Sequence, residues 1–72
     1  MIKVASVSKK IGQNLRKIRE KKEITQEQLA LDAGLNRAYI GYIERGERNP
    51  TTKTLYKIAK ALKVSVSDLM PS

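Results

Sequence analysis

Fifteen lysine and arginine side chains stand against seven aspartates and glutamates in a chain that has no cysteine and no histidine. That inventory supplies no thiolate, no imidazole base and no soft metal ligand. The carboxylates form no grouping of nucleophile, base and metal site, so an enzyme is not expected, nor is a cofactor, a metal or a small-molecule ligand. What fifteen cations can do is bind a polyanion. The formal net charge of +8 makes DNA, RNA and an anionic membrane the candidate partners. The charge is uneven. Residues 1–22 hold eight basic residues and one acidic, residues 23–50 hold three and five, and residues 51–72 hold four and one. Attraction must therefore come from the two flanking segments, helped by Arg37, Arg45 and Arg48 in the middle one.

The elements that position these groups are read from spacing. A chain of 72 residues forms one domain, since it buries only roughly 60% of its unfolded surface. No apolar run approaches the ~20 residues of a membrane span, and the amino end MIKVASVSKK lacks the apolar run of a signal peptide. A cytoplasmic protein with no membrane partner is expected. Apolar residues recur at helical intervals, which predicts an all-α, compact five-helix fold, with residues 1–7 a flexible or loosely packed lead-in. Glycines 12, 34, 41 and 46 and prolines 50 and 71 punctuate it.

The first helix is expected over about 8–22, with Ile11, Leu15 and Ile18 on one stripe. Thr25 caps the second, with Gln28 reaching back as in a capping box, and Leu29, Ala30 and Ala33 face inward. Gly34 supplies the left-handed turn, and Asn36 caps a third helix of about ten residues carrying Ile40 and Ile43. Thr51 or Thr52 caps the fourth, with Leu55, Ile58, Ala59 and Leu62 at core spacing. A capping box from Ser65 to Asp68 opens a short fifth helix with Leu69 and Met70.

The stretch QEQLALDAGLNRAYIGYIER, residues 26–45, reads as two short helices around a tight turn. Leu29, Ala33, Leu35, Ile40 and Ile43 are its apolar positions, Ala30 is small where the helices cross, and Gly34 permits the turn. Together they meet the steric needs of a helix-turn-helix.

The run from Thr25 to Leu69 resembles the phage-repressor-like (Cro and cI type) helix-turn-helix domain, and with the preceding helix the likeness covers about residues 8–70. Within that family NRAYIGYIERGERNP is similar to the controller proteins of restriction-modification systems, small dimers that bind operators upstream of their own gene and time endonuclease expression. The resemblance implies a sequence-specific regulator of double-stranded DNA with a recognition helix from Arg37 to Arg45 in the major groove. Arg37 would donate two hydrogen bonds to guanine, Ala38 would touch a thymine methyl, Tyr39, Gly41 and Tyr42 lie on the arc presented to bases or adjacent phosphates, and Arg48, beyond the helix, would reach a phosphate or a base. Gly41 departs from the polar reader usual there. Gln26, Asn36, Arg45, Asn49 and Thr51 would hold phosphates. Arg19 and Glu44 match a structural ion pair between the first and third helices.

Two half-sites multiply affinity, so a homodimer on a pseudo-palindromic operator is expected, with Val64, Val66, Leu69 and Met70 as its interface. RNA polymerase is a further candidate partner, facing Glu44 or Glu47, while Glu27 and Asp32 turn an acidic side of the second helix to solvent. Alternative readings stay open: another repressor of the same family, an antitoxin-type module whose main partner is a protein, or a cationic membrane-surface peptide. At single positions, Arg37 reads equally as a solvated charge, Tyr39 and Tyr42 as half-buried amphipathic residues, and Lys57, Lys60 and Lys63 as a solvated helix face.

Overall fold

The computed structural model describes the backbone of residues 4–71 and the side chains of residues 7–71. Four α-helices follow in order, α1 (Val4–Lys21), α2 (Gln26–Ala33), α3 (Arg37–Glu44) and α4 (Thr52–Leu62), and a single 3-10 turn, Val66–Asp68, closes the chain. The described residues are thus all-α with four helices, not five. The expected start signal is present, since the Ser65 amide donates to Asp68 Oδ2 at 3.0 Å. Propagation fails because Leu69 and Met70 bond three residues back and Pro71 disfavours α geometry before it.

The first helix also differs from expectation. It begins at Val4, because half-buried Val7 and buried Ser8 continue the inward stripe of Ile11 and Leu15 by a further turn. The backbone of residues 4–7 is thus helical and Val7 packs against the core, while residues 1–3 lie outside the described residues.

Side-chain caps set the other boundaries. Thr25 Oγ1 accepts from the Gln28 amide at 3.0 Å, Asn36 Oδ1 from the Ala38 amide at 2.7 Å, and Thr51 Oγ1 from the Thr54 amide at 3.1 Å, each satisfying an amide that the first turn leaves without an intrahelical acceptor. The reciprocal half of the α2 capping box is not formed: Gln28 Nε2 turns forward to Asp32 Oδ1 at 2.8 Å. Gly34 ends α2 at φ +68°, with the Leu35 amide bonded to the Ala30 carbonyl at 2.8 Å. α3 is eight residues long rather than ten.

Ile11, Leu15, Leu29, Ile40, Ile43, Ile58, Leu62 and Leu69 are essentially fully buried and form one core with Ala30, Leu55 and Ala59. α3 is held between α1 and α2, and α2 packs in turn on α4. Gly12 sits inside α1, not at a boundary. A Cβ there would lie 2.2 Å from the Ile43 carbonyl oxygen and 2.6 Å from that of Glu44, so only glycine lets the backbone of α1 approach the last turn of α3 this closely.

Candidate nucleic-acid interface

α3 is fixed at its carboxyl end by charge as well as by packing. Arg19 on α1 donates from Nε to Glu44 Oε2 at 2.6 Å and from Nη2 to Glu44 Oε1 at 3.1 Å, a two-pronged pair across 25 residues. Its Nη1 reaches the Ile24 carbonyl at 2.8 Å, and Gln26 Nε2 adds a third donor to the Glu44 carboxylate, at Oε1 and 3.0 Å. The side chains of Arg19 and Glu44 are 11% and 4% exposed, and the hydrogen bonding that Arg19 donates to Glu44 raises the Arg19 pKa against the opposing effect of burial. This clamp ties α1, the loop after it, α2 and α3 into one unit. Gln26's share in it was not visible from spacing; only the glutamine's place beside a helix start hinted at a fixed side chain.

With Ile40 and Ile43 turned inward, the opposite side of α3 is left open. Arg37 and Ala38 are exposed in its first turn, Tyr39 is half-buried against the core, and Tyr42 is exposed one turn further on. Arg37 has no hydrogen-bond or ion-pair partner among the described residues. It lines a shallow hollow with Thr25, Gln26, Glu27 and Arg19, which brings the first turns of α2 and α3 to one surface. Both turns point amide groups outward, and amides there attract anions.

At the exit of α3 the arrangement changes. Gly41 is buried, and a Cβ added to it would meet Arg45 Nη1 at 3.1 Å, so the arginine lies across the glycine. Arg45 Nε donates to Glu47 Oε2 at 2.8 Å, and its Nη2 stands 3.4 Å from Oε1. The same guanidinium lies 5.2 Å from the Tyr42 ring centre, and that of Arg48 lies 5.4 Å from it, both within cation–π range. Asn49 and Thr51 are exposed beyond, with the Thr51 hydroxyl engaged in capping α4; Asn36 Oδ1 likewise caps α3. Of the two acidic residues considered for polymerase contact, Glu44 is closed off inside the clamp and Glu47 is exposed.

The carboxyl-terminal surface needs one correction. Leu69 is fully buried in the protein's own core, so it belongs to folding and not to an interface. Asn14 Nδ2 on α1 donates to the carbonyls of Leu69 and Met70 at 3.1 and 3.3 Å, which holds that leucine inward. Val64 and Val66 are half-buried and Met70 is 37% exposed. Tyr56, 66% exposed, shares an apolar groove with Ala59, Lys60, Val64 and Val66. The sequence signal for Tyr56 was an aromatic residue lying off the inward stripe of α4. Among the described residues no helix is long and apolar enough to cross a membrane.

A helix-turn-helix family model matches residues 15–69. The control protein C.SmaI of Serratia marcescens is 48% identical over 60 residues, spanning 83% of this chain and 71% of that protein. The control protein C.BamHI of Bacillus amyloliquefaciens is 47% identical over 60 residues, spanning 82% and 74%. Among solved structures, the restriction-modification controller protein C.AhdI of Aeromonas hydrophila superposes with a TM-score of 0.86 at 41% identity, covering 88% of this chain and 96% of that one. The chain therefore belongs to the phage-repressor-like helix-turn-helix family of DNA-binding transcriptional regulators and is similar to its restriction-modification controllers.

Proposed function

We propose that this protein is the controller of a restriction-modification system, a homodimer that binds a pseudo-palindromic operator and regulates its own gene and that of the endonuclease. The observation that carries the reading is Arg37: an exposed guanidinium without a partner among the described residues, in the first turn of a helix that is itself clamped. Such a fork is ready for the O6 and N7 acceptors of guanine. Ala38, Tyr39 and Tyr42 supply apolar and hydroxyl contacts beside it and Arg48 reaches bases from the exit of α3, while Gly41, buried beneath the Arg45 guanidinium, makes room for that side chain and not for a base. Gln26, whose second amide hydrogen is not needed by Glu44, binds phosphate together with Asn36, Arg45, Asn49 and Thr51. Glu47 is the acidic residue through which RNA polymerase would be met.

In the dimer, Val64, Val66 and Met70 meet their symmetry mates, with the Tyr56 groove alongside. Two-fold symmetry then sets half-sites about one helical turn, ~34 Å, apart. Met70→Asp should yield monomers by sedimentation at micromolar concentration while the fold is retained; a dimer unchanged by Met70→Asp and by Val66→Asp would count against this surface.

The direct test is selection of binding sites from a random duplex pool at about 150 mM salt, where phosphate-only binding is weakened. A two-fold symmetric consensus containing guanines is expected, with a matching site upstream of the protein's own gene. A folded protein that enriches nothing overturns the operator reading.

A further inference from the structure

Arg45 and Glu47 lie two residues apart on the open turn that leaves α3, both about half exposed. The carboxylate takes the guanidinium by the two-pronged approach that a phosphate would use, with Nε at 2.8 Å and Nη2 at 3.4 Å. Tyr42 stacks the same guanidinium from one side at 5.2 Å while also holding Arg48 at 5.4 Å. Two like charges on one ring repel each other, and Glu47 offsets that repulsion only while it holds Arg45. The Nε and Nη2 donors of Arg45 are therefore engaged within the chain.

We propose that Glu47 is a residue that limits DNA affinity, an internal substitute for phosphate that occupies Arg45 until base contacts secure the complex. Arg45 exchanges Glu47 for a backbone phosphate when α3 is seated in the groove. On arbitrary DNA, where Arg37 and its neighbours find no matching bases, the exchange is not driven and Arg45 stays with Glu47. The latch thus removes one phosphate contact per protomer from non-specific binding and requires operator binding to open the ion pair first. It rests on the proposed phosphate role of Arg45.

The test is a double-mutant cycle on the full chain with Glu47→Gln, Arg45→Gln and the double variant. Binding is titrated against the selected operator duplex and a scrambled duplex of equal length, between about 50 and 200 mM salt. Circular dichroism confirms that each variant is folded. Glu47→Gln should raise affinity for the scrambled duplex about three- to tenfold at low salt, and steepen its log–log salt slope by about 0.9 per protomer. Operator affinity should rise at least as much, because the parent protein must open the Glu47 pair to seat α3 there, so the ratio of the two does not fall. In the Arg45→Gln background the gain should vanish. A gain that persists there reflects only the loss of a negative charge beside DNA and overturns the latch, as does an unchanged salt slope in Glu47→Gln alone. If Arg45→Gln leaves both duplexes bound as before, the phosphate role of Arg45 falls and the latch with it, whereas an Arg45→Gln defect without a Glu47→Gln gain removes the latch alone.

Discussion

Two arginine–glutamate pairs flank the last turn of α3, and they differ in almost everything except their chemistry. Arg19 and Glu44 join distant elements, are nearly excluded from water, and recruit Gln26 and a backbone carbonyl so that most donors and acceptors are met. Arg45 and Glu47 are near neighbours on a turn, over half exposed, with only an aromatic ring for support. Burial decides which job a guanidinium can take. An ion pair withdrawn from water is costly to open, so it can hold α3 in place; an exposed one opens readily, so its arginine stays available to a competing anion.

The sharpest break of that contrast is Glu44→Ala. Loss of one partner leaves Arg19 largely buried and unpaired, and should cost about 3 kcal/mol in urea unfolding, the low end for a buried pair because Arg19 keeps some exposure. Glu44→Gln, which preserves shape, should lose less. Next is Gly12→Ala, which forces a methyl group against the carbonyls of Ile43 and Glu44. About 1–3 kcal/mol of stability should go, and because α3 must shift, operator binding should fall further than stability does. Arg37→Ala reverses the pattern: unfolding should be unchanged within about 0.5 kcal/mol, while discrimination at one base per half-site drops by about 1–3 kcal/mol in competition binding. An equal loss on operator and scrambled duplexes would remove Arg37 from base reading. Smallest is Arg45→Gln, whose unfolding midpoint should match the parent at both low and high salt; a measurable shift would mean that the exposed pair is structural after all.

Much of the fold was legible because its signals are local. Thr25, Asn36 and Thr51 cap helices through their own side chains, Gly34 turns left-handed, and the inward stripes of α1, α3 and α4 follow the helical period. What escaped depends on approaches between distant segments. A glycine inside a helix reads as punctuation until the carbonyls of α3 are seen against Gly12, and Leu69 reads as surplus apolar surface until Asn14 draws its carbonyl onto α1. Gln28 illustrates competition within a single turn, since Asp32 offers its amide a charged acceptor that the start of the helix does not. At the interface, spacing could place Arg37, Tyr39 and Tyr42 along α3, but the pairing of Arg45 with Glu47 and the closing off of Glu44 follow from the exit turn and from α1.

The grip of Asn14 on the end of the chain reaches beyond stability. Asn14 and Arg19 stand five positions apart, about 7.5 Å along α1, and those two side chains fasten the carboxyl-terminal segment and α3 to one rigid rod. In a two-fold assembly joined through that segment, the gap between the two reading helices becomes a fixed gauge with little give. Such a gauge checks phase as well as sequence: two good half-sites moved one base pair closer or farther would be rotated out of reach, and the protein would refuse them.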